Sequence, residues 1–526
     1  MDRVGSQDGH ASPAGGTTRR ESVDAVVVGG GVAGLVAARE LALAGLGVVV
    51  VEPGHGPGGA VGRHTVAGLD LDAGAESFAT RGGTVAALAA ELGLADAVTA
   101  PAPLGAWVHG PSGPGTLPRA GLLGVPVDPW APDVRRTIGL AGALRASADR
   151  LLPARVGTAG PRGADRSGTR SGTPSGTSSG TSSGTPSGTV TFGGLVRARM
   201  GRRVLDRLVA PVVGGVHAAD PDDLDVRTVA PGLLPALDEH GSLGAAVASL
   251  RALAPAGAAV NGLVGGMHTL VDALVGDLSA RGGRLWTGST VRALDRVGTG
   301  WSVAVDSPRG PLVLTTPRVV LAAPAAATLG LLAGVLPGLA TVRTDPGADV
   351  VLATLVVDAA ELDVAPRGTG VLVAPAAQRA PGRGGAPAVR AKALTHATAK
   401  WPWLAAQAGP GRHVLRLSYG RAGGSGSLQD VVGLADEALT ALAVRDAGTL
   451  LGVPLDGASV RGAARVRWSQ SLPRASAGHR ASVEAVSAAV DATPGLAVCG
   501  AWVAGNGLAT VVPHARAAGR RLAELF

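Results

Sequence analysis

The chain is 526 residues long, 46% of them hydrophobic but only 2% aromatic, and it carries a formal net charge of +8. This length accommodates two or three domains, whose cores must be built from Ala, Val and Leu. The charge comes without a nucleic-acid motif and with few aromatic side chains for base stacking, which argues against a nucleic-acid partner. The single cysteine, Cys499, excludes an intrachain disulfide and is typical of the reducing cytoplasm.

A dinucleotide-binding unit is predicted directly after residues 1–21, a disordered tail without the apolar segment of a secretory signal. Residues 24–28 have the pattern of a buried parallel strand, and Val48–Val51 that of its neighbour, which ends at Glu52. A helix is predicted between them. The turn before that helix has G-x-G-x-x-G spacing, at Gly29, Gly31 and Gly34. Such a turn holds a pyrophosphate at the helix N-terminus, and the acid binds a ribose diol, which disfavours NADP but leaves FAD and NAD open.

The middle of the chain divides into helical and strand-rich stretches. Residues 84–156 and 192–208 have mostly helical patterns, and short strand-like runs recur from about 300 to 480. The Ser-Gly-Thr repeat over 167–189 has too little apolar surface to fold, so its G-x-S-x-G spellings do not indicate a hydrolase. The uncharged run over 319–342 contains two prolines and is predicted to be a buried strand, a turn and a helix, not a membrane span.

Two further Gly-rich segments carry a family resemblance. After Glu52 the chain reads PGHGPGG and then DAGAESF, and near its end it reads VCGAWVAGNGLATVV. With the first motif, these segments resemble the superfamily of FAD-dependent amine oxidases and protoporphyrinogen oxidases. NAD dehydrogenases do not carry the second block. The resemblance therefore implies FAD as the cofactor, held by a domain that contains both ends of the chain.

A narrower resemblance lies in the middle of the chain. Residues 195–231 end in PVVGGVHAADPDDLDVRTVAP, and later segments read THATAKWP and RWSQSLPRASAGH. These segments resemble the protoporphyrinogen and coproporphyrinogen III oxidase family, on its bacterial coproporphyrinogen III branch. The resemblance implies an oxygen-dependent enzyme of haem biosynthesis that oxidises coproporphyrinogen III to coproporphyrin III. Six hydrogens are removed, with hydride transfer to flavin N5 and release of hydrogen peroxide. The alternatives are a protoporphyrinogen IX oxidase or another FAD amine oxidase or desaturase.

The resemblance also implies which residues hold FAD. They lie in the Gly-rich segments, in a strand near residue 290 and at one tryptophan: Gly29, Gly30, Gly31, Val32, Ala33, Gly34, Glu52, Pro53, Gly58, Gly59, Ala60, Gly74, Ala75, Glu76, Ser77, Val291, Trp468, Gly500, Gly507, Leu508 and Ala509. A flavin supplies the redox chemistry itself, and the sequence has no metal-ligand motif and no nucleophilic triad. Catalytic residues are therefore unknown.

Three further features bear on the site. Glu76 and His217 are weak candidates for proton transfer; the alternatives are a structural carboxylate and a polar wall residue. His217 stands where the family has a tyrosine, and Gly56 stands where it often has a basic residue beside the phosphates. An arginine cluster precedes Pro211 and is either a site for substrate propionates or a solvated basic face: Arg197, Arg199, Arg202, Arg203 and Arg207.

The predicted fold class is α/β, with a discontinuous Rossmann-like FAD-binding domain, a mixed-sheet substrate domain and a helical cap. The FAD-binding domain takes residues 22–83, 255–325 and 485–526, and the substrate domain takes 326–484. The cap takes 84–235, including a disordered insertion at 157–189. Expected partners are a porphyrinogen, molecular oxygen and, transiently, the next enzyme of haem synthesis. The cap is expected to make at most peripheral membrane contact.

Overall fold

The structure is a computed structural model, and the chain is described from residue 19 to residue 525 with internal gaps. The gaps are 111–112, 119–120, 159–189, 218, 253–258, 345–347, 380–387, 421–426 and 473–476. The predicted tail up to residue 18 and the Ser-Gly-Thr repeat lie outside the described residues.

A five-stranded parallel sheet gathers distant parts of the chain. Its strand order is Arg284–Trp286, Val48–Val51, Ala25–Val28, Val319–Leu321, Leu496–Val498. Four of these strands are runs of Val, Leu and Ala with almost no exposed surface. Such continuous apolar strands are stable only where layers cover both faces of the sheet. The first, middle and last parts of the sequence therefore share one core.

Two different layers cover this sheet. Helices lie on one face: Val32–Leu43, Thr84–Glu91, His268–Ala280 and Leu508–Ala523. An antiparallel meander lies on the other, with two helices beside it: Thr290–Val297, Gly300–Ser307 and Gly310–Thr316, then Ala325–Leu332 and Ala477–Asp491. Arg19–Ser22 extends this meander by pairing parallel to its last strand. The last residues of the segment predicted to be disordered are therefore a strand, held also by an ion pair between Glu21 and Arg284 at 2.6 Å.

A mixed seven-stranded sheet forms the second layered unit. Its strand order is Val460–Leu472, Ala348–Asp358, Arg412–Tyr419, Ala393–His396, Gly370–Val373, Trp107–Gly110, Gly113–Thr116. Helix Asp436–Leu451 packs on one face, and the hairpin Arg63–Val66 with Leu69–Asp72 lies against part of the other. The prediction that residues 84–116 belong to the helical cap is therefore wrong. Helix Thr84–Glu91 packs on the five-stranded parallel sheet, whereas strands Trp107–Gly110 and Gly113–Thr116 belong to the seven-stranded sheet. The sequence did not indicate these two strands, because they are rich in Gly and Pro and lack the alternation of apolar and polar residues that identifies strands.

The helical cap has a core of its own. Its helical segments are Pro132–Ser147, Phe192–Met200, Arg202–Val204, Leu205–Val209, Ala210–His217, Val226–Val229, Leu233–His240 and Leu243–Ala252. The first is interrupted at Gly139, whose φ of +74° lies outside the helical region. Within the described part of the chain, no helix has the length and hydropathy that crossing a bilayer requires.

Short elements connect these units. The remaining strands are Phe78–Ala79, Val98–Thr99 and Val260–Leu263, which pair together, and Gly121–Leu122 with Val125–Pro126. The remaining α-helices are Pro375–Arg379, Ala397–Lys400, Pro402–Ala408, Ser427–Val432 and Ala501–Ala504. The 3₁₀ turns are Gly59–Val61, Ala95–Ala97, Ala148–Leu151, Pro221–Asp223, Pro337–Leu339, Ala360–Leu362 and Gly457–Ser459.

Candidate cofactor and active site

The first Gly-rich turn has the geometry that its spacing predicts. Gly29 adopts a φ of +110°, and a Cβ on it would lie 2.9 Å from the Ala322 carbonyl oxygen. A Cβ on Gly34 would lie 1.9 Å from the carbonyl oxygen of Gly29. Neither position accepts a side chain, because the turn is tight and the helix approaches the strand closely.

Gly31 is open where Gly29 and Gly34 are crowded. It is the N-cap of helix Val32–Leu43, with no side chain capping it, and a Cβ there would meet only Gly59 Cα, at 3.9 Å. The second Gly-rich segment lies alongside, since the Gly58 N–H donates to the Gly30 carbonyl at 2.8 Å. Two glycine loops thus leave an open cradle at a helix N-terminus, which suits a pyrophosphate.

Glu52 lies beside this cradle at the carboxyl end of its strand. Its Oε2 accepts a hydrogen bond from the Gly30 N–H at 2.7 Å, and its Oε1 accepts one from the Gly54 N–H at 2.8 Å. These bonds orient the carboxylate, and its remaining lone pairs can accept bonds from a ribose diol. The Glu52 carbonyl accepts from the Ser289 N–H at 2.9 Å, which brings the strand containing Val291 to the same edge. Pro53 follows directly and is exposed.

The segment from Gly74 to Ser77 passes close to the second glycine loop. The Ala75 N–H donates to the Ala60 carbonyl at 2.8 Å, and a Cβ on Gly74 would lie 2.1 Å from the same oxygen. Trp468 packs against this segment, and its Nε1–H donates to the Ala73 carbonyl at 3.0 Å. The residues predicted at positions 60, 74, 75 and 468 are therefore in one place.

The C-terminal motif supplies a second helix N-terminus. Gly500 follows strand Leu496–Val498 with a φ of +126°, and Gly507, with a φ of +99°, is the N-cap of helix Leu508–Ala523. Leu508 and Ala509 pack into the core that also contains Val32 and Ala33. Thr84 Oγ1 donates to the Ala509 carbonyl at 3.3 Å. The two predicted cofactor helices therefore pack in one core.

Glu76 has two cationic partners, Lys400 at the end of helix Ala397–Lys400 and Arg416 in the seven-stranded sheet. Its Oε1 lies 2.6 Å from Lys400 Nζ, and its Oε2 lies 2.8 Å from a terminal nitrogen of Arg416. Burial alone would raise the pKa of this carboxyl, but the charges of Lys400 and Arg416 and their hydrogen bonds lower it to about 2. Glu76 is thus ionised at neutral pH with both oxygens engaged, which favours the structural alternative over a proton acceptor.

Sequence reasoning did not place these two cations in the site. Lys400 had one usable signal, since it is one of only two lysines in a chain whose other cations are arginines. Arg416 had none, because it lies in an ordinary strand, 340 residues from Glu76, in an arginine-rich chain. The three side chains meet only because the seven-stranded sheet packs beside the Gly74–Ser77 segment.

His217 ends the cap helix Ala210–His217, which packs over the seven-stranded sheet. A Cβ on Gly215 of that helix would lie 2.7 Å from Leu372 Cδ2, so the two layers are close. The imidazole is half-buried, and burial, with the positive charge of Arg81, lowers the pKa of His217. The ring is therefore neutral at neutral pH, as either a proton carrier or a polar wall residue would be.

The arginine cluster does not form a single cationic surface. Arg199 is fully buried and paired with Asp149, while Arg197 pairs with Asp222 at the surface. The others pair locally or reach cap carbonyls: Arg202 to Asp206, Arg203 to Ile138 and Arg207 to Thr137. The contacts of Arg199, Arg203 and Arg207 hold cap elements together, and Arg199, whose nitrogens all have partners inside the cap, is not part of a shared propionate site. The reason is that successive helical positions face different neighbours.

The fold and these loops define an FAD-dependent oxidoreductase: a Gly-rich turn at a helix N-terminus, an acid at the end of the next strand and a second glycine loop against the first. A family model described as flavin containing amine oxidoreductase matches residues 32–525, and the chain belongs to this family. Among the described residues, no group of three or more His, Cys, Asp or Glu residues is arranged to hold a metal ion.

Individual relatives extend over nearly the whole chain. The coproporphyrinogen III oxidase of Mycobacterium leprae is 29% identical over 514 residues, which are 95% of this chain and 97% of that protein. The coproporphyrinogen III oxidase of Bacillus subtilis is 23% identical over 94% of this chain and 96% of its own.

Solved structures share the fold. A protein of Exiguobacterium sp. 255-15, described as a candidate protoporphyrinogen oxidase, superposes with a TM-score of 0.74 at 22% identity, over 96% of this chain and 99% of its own. The cyclohexylamine oxidase of Brevibacterium oxydans superposes with a TM-score of 0.60 at 14% identity, over 95% and 99%. At these identities the likeness concerns the fold alone.

Proposed function

We propose that this chain is an oxygen-dependent FAD oxidase that converts coproporphyrinogen III to coproporphyrin III in haem biosynthesis. The observation that carries the proposal is the match to coproporphyrinogen III oxidases over nearly the full length of both chains. Protoporphyrinogen IX is the second candidate substrate, because the chloroplastic protoporphyrinogen oxidase of Oryza sativa is 26% identical over 331 residues, 58% of this chain and 53% of that protein.

FAD, when bound, would supply two-electron oxidation chemistry and would itself be reoxidised by dioxygen. The chain's own residues bind and orient it. The N-terminus of helix Val32–Leu43 and the glycines at 31, 58 and 59 would hold the pyrophosphate, and Glu52 would hold the ribose. The Gly74–Ser77 segment and the N-terminus of helix Leu508–Ala523 would flank the ring system.

The reaction needs little acid–base chemistry from the protein. The overall balance is one coproporphyrinogen and three dioxygen molecules giving one coproporphyrin and three hydrogen peroxide molecules. The protons released from the macrocycle need an acceptor, and neutral His217 over the seven-stranded sheet is the candidate carrier. Glu76, ionised between Lys400 and Arg416, keeps its charge and takes no proton.

The proposal is tested with FAD-loaded protein under nitrogen. Coproporphyrinogen III should bleach the flavin absorbance, and admission of air should restore it with porphyrin fluorescence and three equivalents of hydrogen peroxide. Putrescine and cyclohexylamine serve as control substrates that test for amine oxidase activity, and both should leave the flavin oxidised. Bleaching by an amine but not by the porphyrinogen would place the chain among the amine oxidases. No bleaching by any of them would indicate a carrier without turnover.

The cap is the part of the protein that we propose for peripheral membrane contact. It exposes three leucines, Leu140, Leu144 and Leu151, which are 62%, 62% and 86% exposed. Exposed basic side chains stand in the same segment: Arg135, Arg136, Arg150 and Arg155. Apolar side chains with a cationic surround suit shallow insertion into an anionic membrane surface.

A further inference from the structure

A buried three-residue charge cluster joins the Gly74–Ser77 segment to the seven-stranded sheet and the helix beside it. It consists of Glu76, from the segment after the hairpin, Lys400, at the end of helix Ala397–Lys400, and Arg416, in strand Arg412–Tyr419. The side chains of Glu76 and Lys400 are each 16% exposed, and that of Arg416 is 9% exposed. Charges interact more strongly in such a place than at the surface, because water screens them poorly there.

The cluster also fixes the backbone that precedes Glu76. A terminal nitrogen of Arg416 donates to the Gly74 carbonyl at 2.5 Å while the other holds the carboxylate. Lys400 Nζ lies 5.0 Å from the centre of the Trp401 ring, a second contact that holds the ammonium in place. Two side chains from two separate elements, Lys400 and Arg416, therefore hold the Gly74–Ser77 segment in place.

Two cations against one carboxylate leave the cluster with a net positive charge. Another acid that precedes this segment, Asp72, accepts bonds from the Met267 and His268 N–H groups at 3.0 Å each, at the start of helix His268–Ala280. That helix end offsets the negative charge of Asp72. The adjacent His64 is half-buried, and its Nε2 has no hydrogen-bond partner among the described residues. Positive charge therefore dominates this part of the site.

We propose that Glu76, Lys400 and Arg416 act as one electrostatic unit that stabilises the negatively charged form of the bound flavin. The inference rests on the proposed cofactor site, which places the Gly74–Ser77 segment beside the flavin ring. Transfer of a hydride to the neutral oxidised ring makes an anion, and addition of sulfite to N5 also adds negative charge. A net positive cluster beside the ring favours both products, and Glu76 limits the effect by offsetting one cation.

The charge assignment predicts opposite effects from two neutral substitutions. Lys400→Met removes a cation and should raise the sulfite Kd of the FAD-loaded protein at least tenfold. Glu76→Gln removes the anion and should lower that Kd at least tenfold. A tenfold change in a two-electron equilibrium corresponds to about 30 mV. The flavin midpoint potential should therefore fall by at least this amount in Lys400→Met and rise by at least this amount in Glu76→Gln. Lys400→Arg keeps the charge and should stay within twofold of wild type.

Sulfite titrations, read by loss of flavin absorbance, and dye-coupled potentials provide the test. Arg412→Met is the matched control, because this arginine lies on the same strand but pairs with Asp358 away from the cluster. If the sulfite Kd shifts in the same direction in Lys400→Met and Glu76→Gln, or by less than twofold in both, the proposal is wrong. The cluster would then only hold the Gly74–Ser77 segment in place. If Glu76→Gln retains no flavin, the two Lys400 variants decide the question: a raised sulfite Kd in Lys400→Met but not in Lys400→Arg supports the proposal, and equal Kd values overturn it. Sulfite binding involves no porphyrinogen, so it is independent of the substrate assignment.

Discussion

The guanidinium of Arg199 is fully buried in the cap, and its Nε–H donates to Asp149 Oδ1 at 2.6 Å. Its remaining N–H groups meet backbone carbonyls, including those of Leu152 at 3.3 Å, Pro153 at 3.0 Å and Gly241 at 2.8 Å. The other oxygen of Asp149 accepts from the Gly244 N–H at 3.0 Å. One ion pair thus holds together three separate stretches of the cap.

Removing either partner of this pair should destabilise the cap. Arg199→Met leaves Asp149 charged and buried without a counter-ion, which typically costs about 3–5 kcal/mol of unfolding free energy. Urea unfolding followed by circular dichroism measures the loss. The control is Arg202→Ala, whose side chain is 84% exposed and which should change stability by less than about 0.5 kcal/mol. Normal stability with a raised KM for a porphyrinogen would instead place Arg199 in a substrate site.

The cradle at Gly31 should tolerate a side chain in the empty protein but not with FAD. Gly31→Asp should give folded, colourless protein, because the new carboxylate would meet the pyrophosphate and no protein atom lies closer than Gly59. The ratio of flavin absorbance at 450 nm to protein absorbance measures occupancy. Gly276→Asp, at an exposed helical glycine with nothing near its Cβ position, is the control and should stay yellow. Full occupancy in Gly31→Asp would contradict the assignment of this loop.

The sequence specified the parallel sheet better than the mixed one. Ala25–Val28 and Val48–Val51 are uninterrupted apolar runs beside diagnostic glycines, so their neighbours could be inferred locally. The hairpin Trp107–Gly110 with Gly113–Thr116 has no such signal, because most of its residues are Gly, Pro or Thr and its partners lie over 250 residues away. Arg416 was missed for the same reason, since its role depends on contacts that only the packed sheets create.

Cys499 should be chemically silent in the folded protein. It directly follows strand Leu496–Val498 and is fully buried, and this burial raises the pKa of its thiol to about 12. Because the thiolate is the reactive form, Cys499 of the folded protein should not react with Ellman's reagent at pH 7 or at pH 9. One thiol should react once urea unfolds the chain. Val364→Cys, at a position that is 81% exposed, is the positive control. Rapid native reaction of Cys499 would mean that this core opens.

The exposed cap leucines Leu140, Leu144 and Leu151 should bind the cap to anionic vesicles. Leu144→Glu replaces one of them with a charged side chain and should reduce co-sedimentation with phosphatidylglycerol-containing vesicles several-fold, because an ionised carboxylate resists transfer into the membrane interface. Val364→Glu makes the same change at an exposed position outside the cap and should bind like wild type. Equal binding of both variants, or no binding by the wild type, would exclude this surface as the contact.

Coproporphyrinogen III should be preferred over protoporphyrinogen IX, which has vinyl groups in place of two propionates. Arg81 is the candidate partner for a propionate: it is exposed, follows the Gly74–Ser77 segment, lies near His217 and has no ion pair among the described residues. A charge-assisted contact that the bound substrate partly buries is worth about 1.5–3 kcal/mol, or at least tenfold in kcat/KM. Arg81→Leu should therefore lower kcat/KM for coproporphyrinogen at least tenfold, and less at high salt, while changing that for protoporphyrinogen little. Equal or faster turnover of protoporphyrinogen by the wild type would refute the preference and leave the FAD oxidase assignment standing.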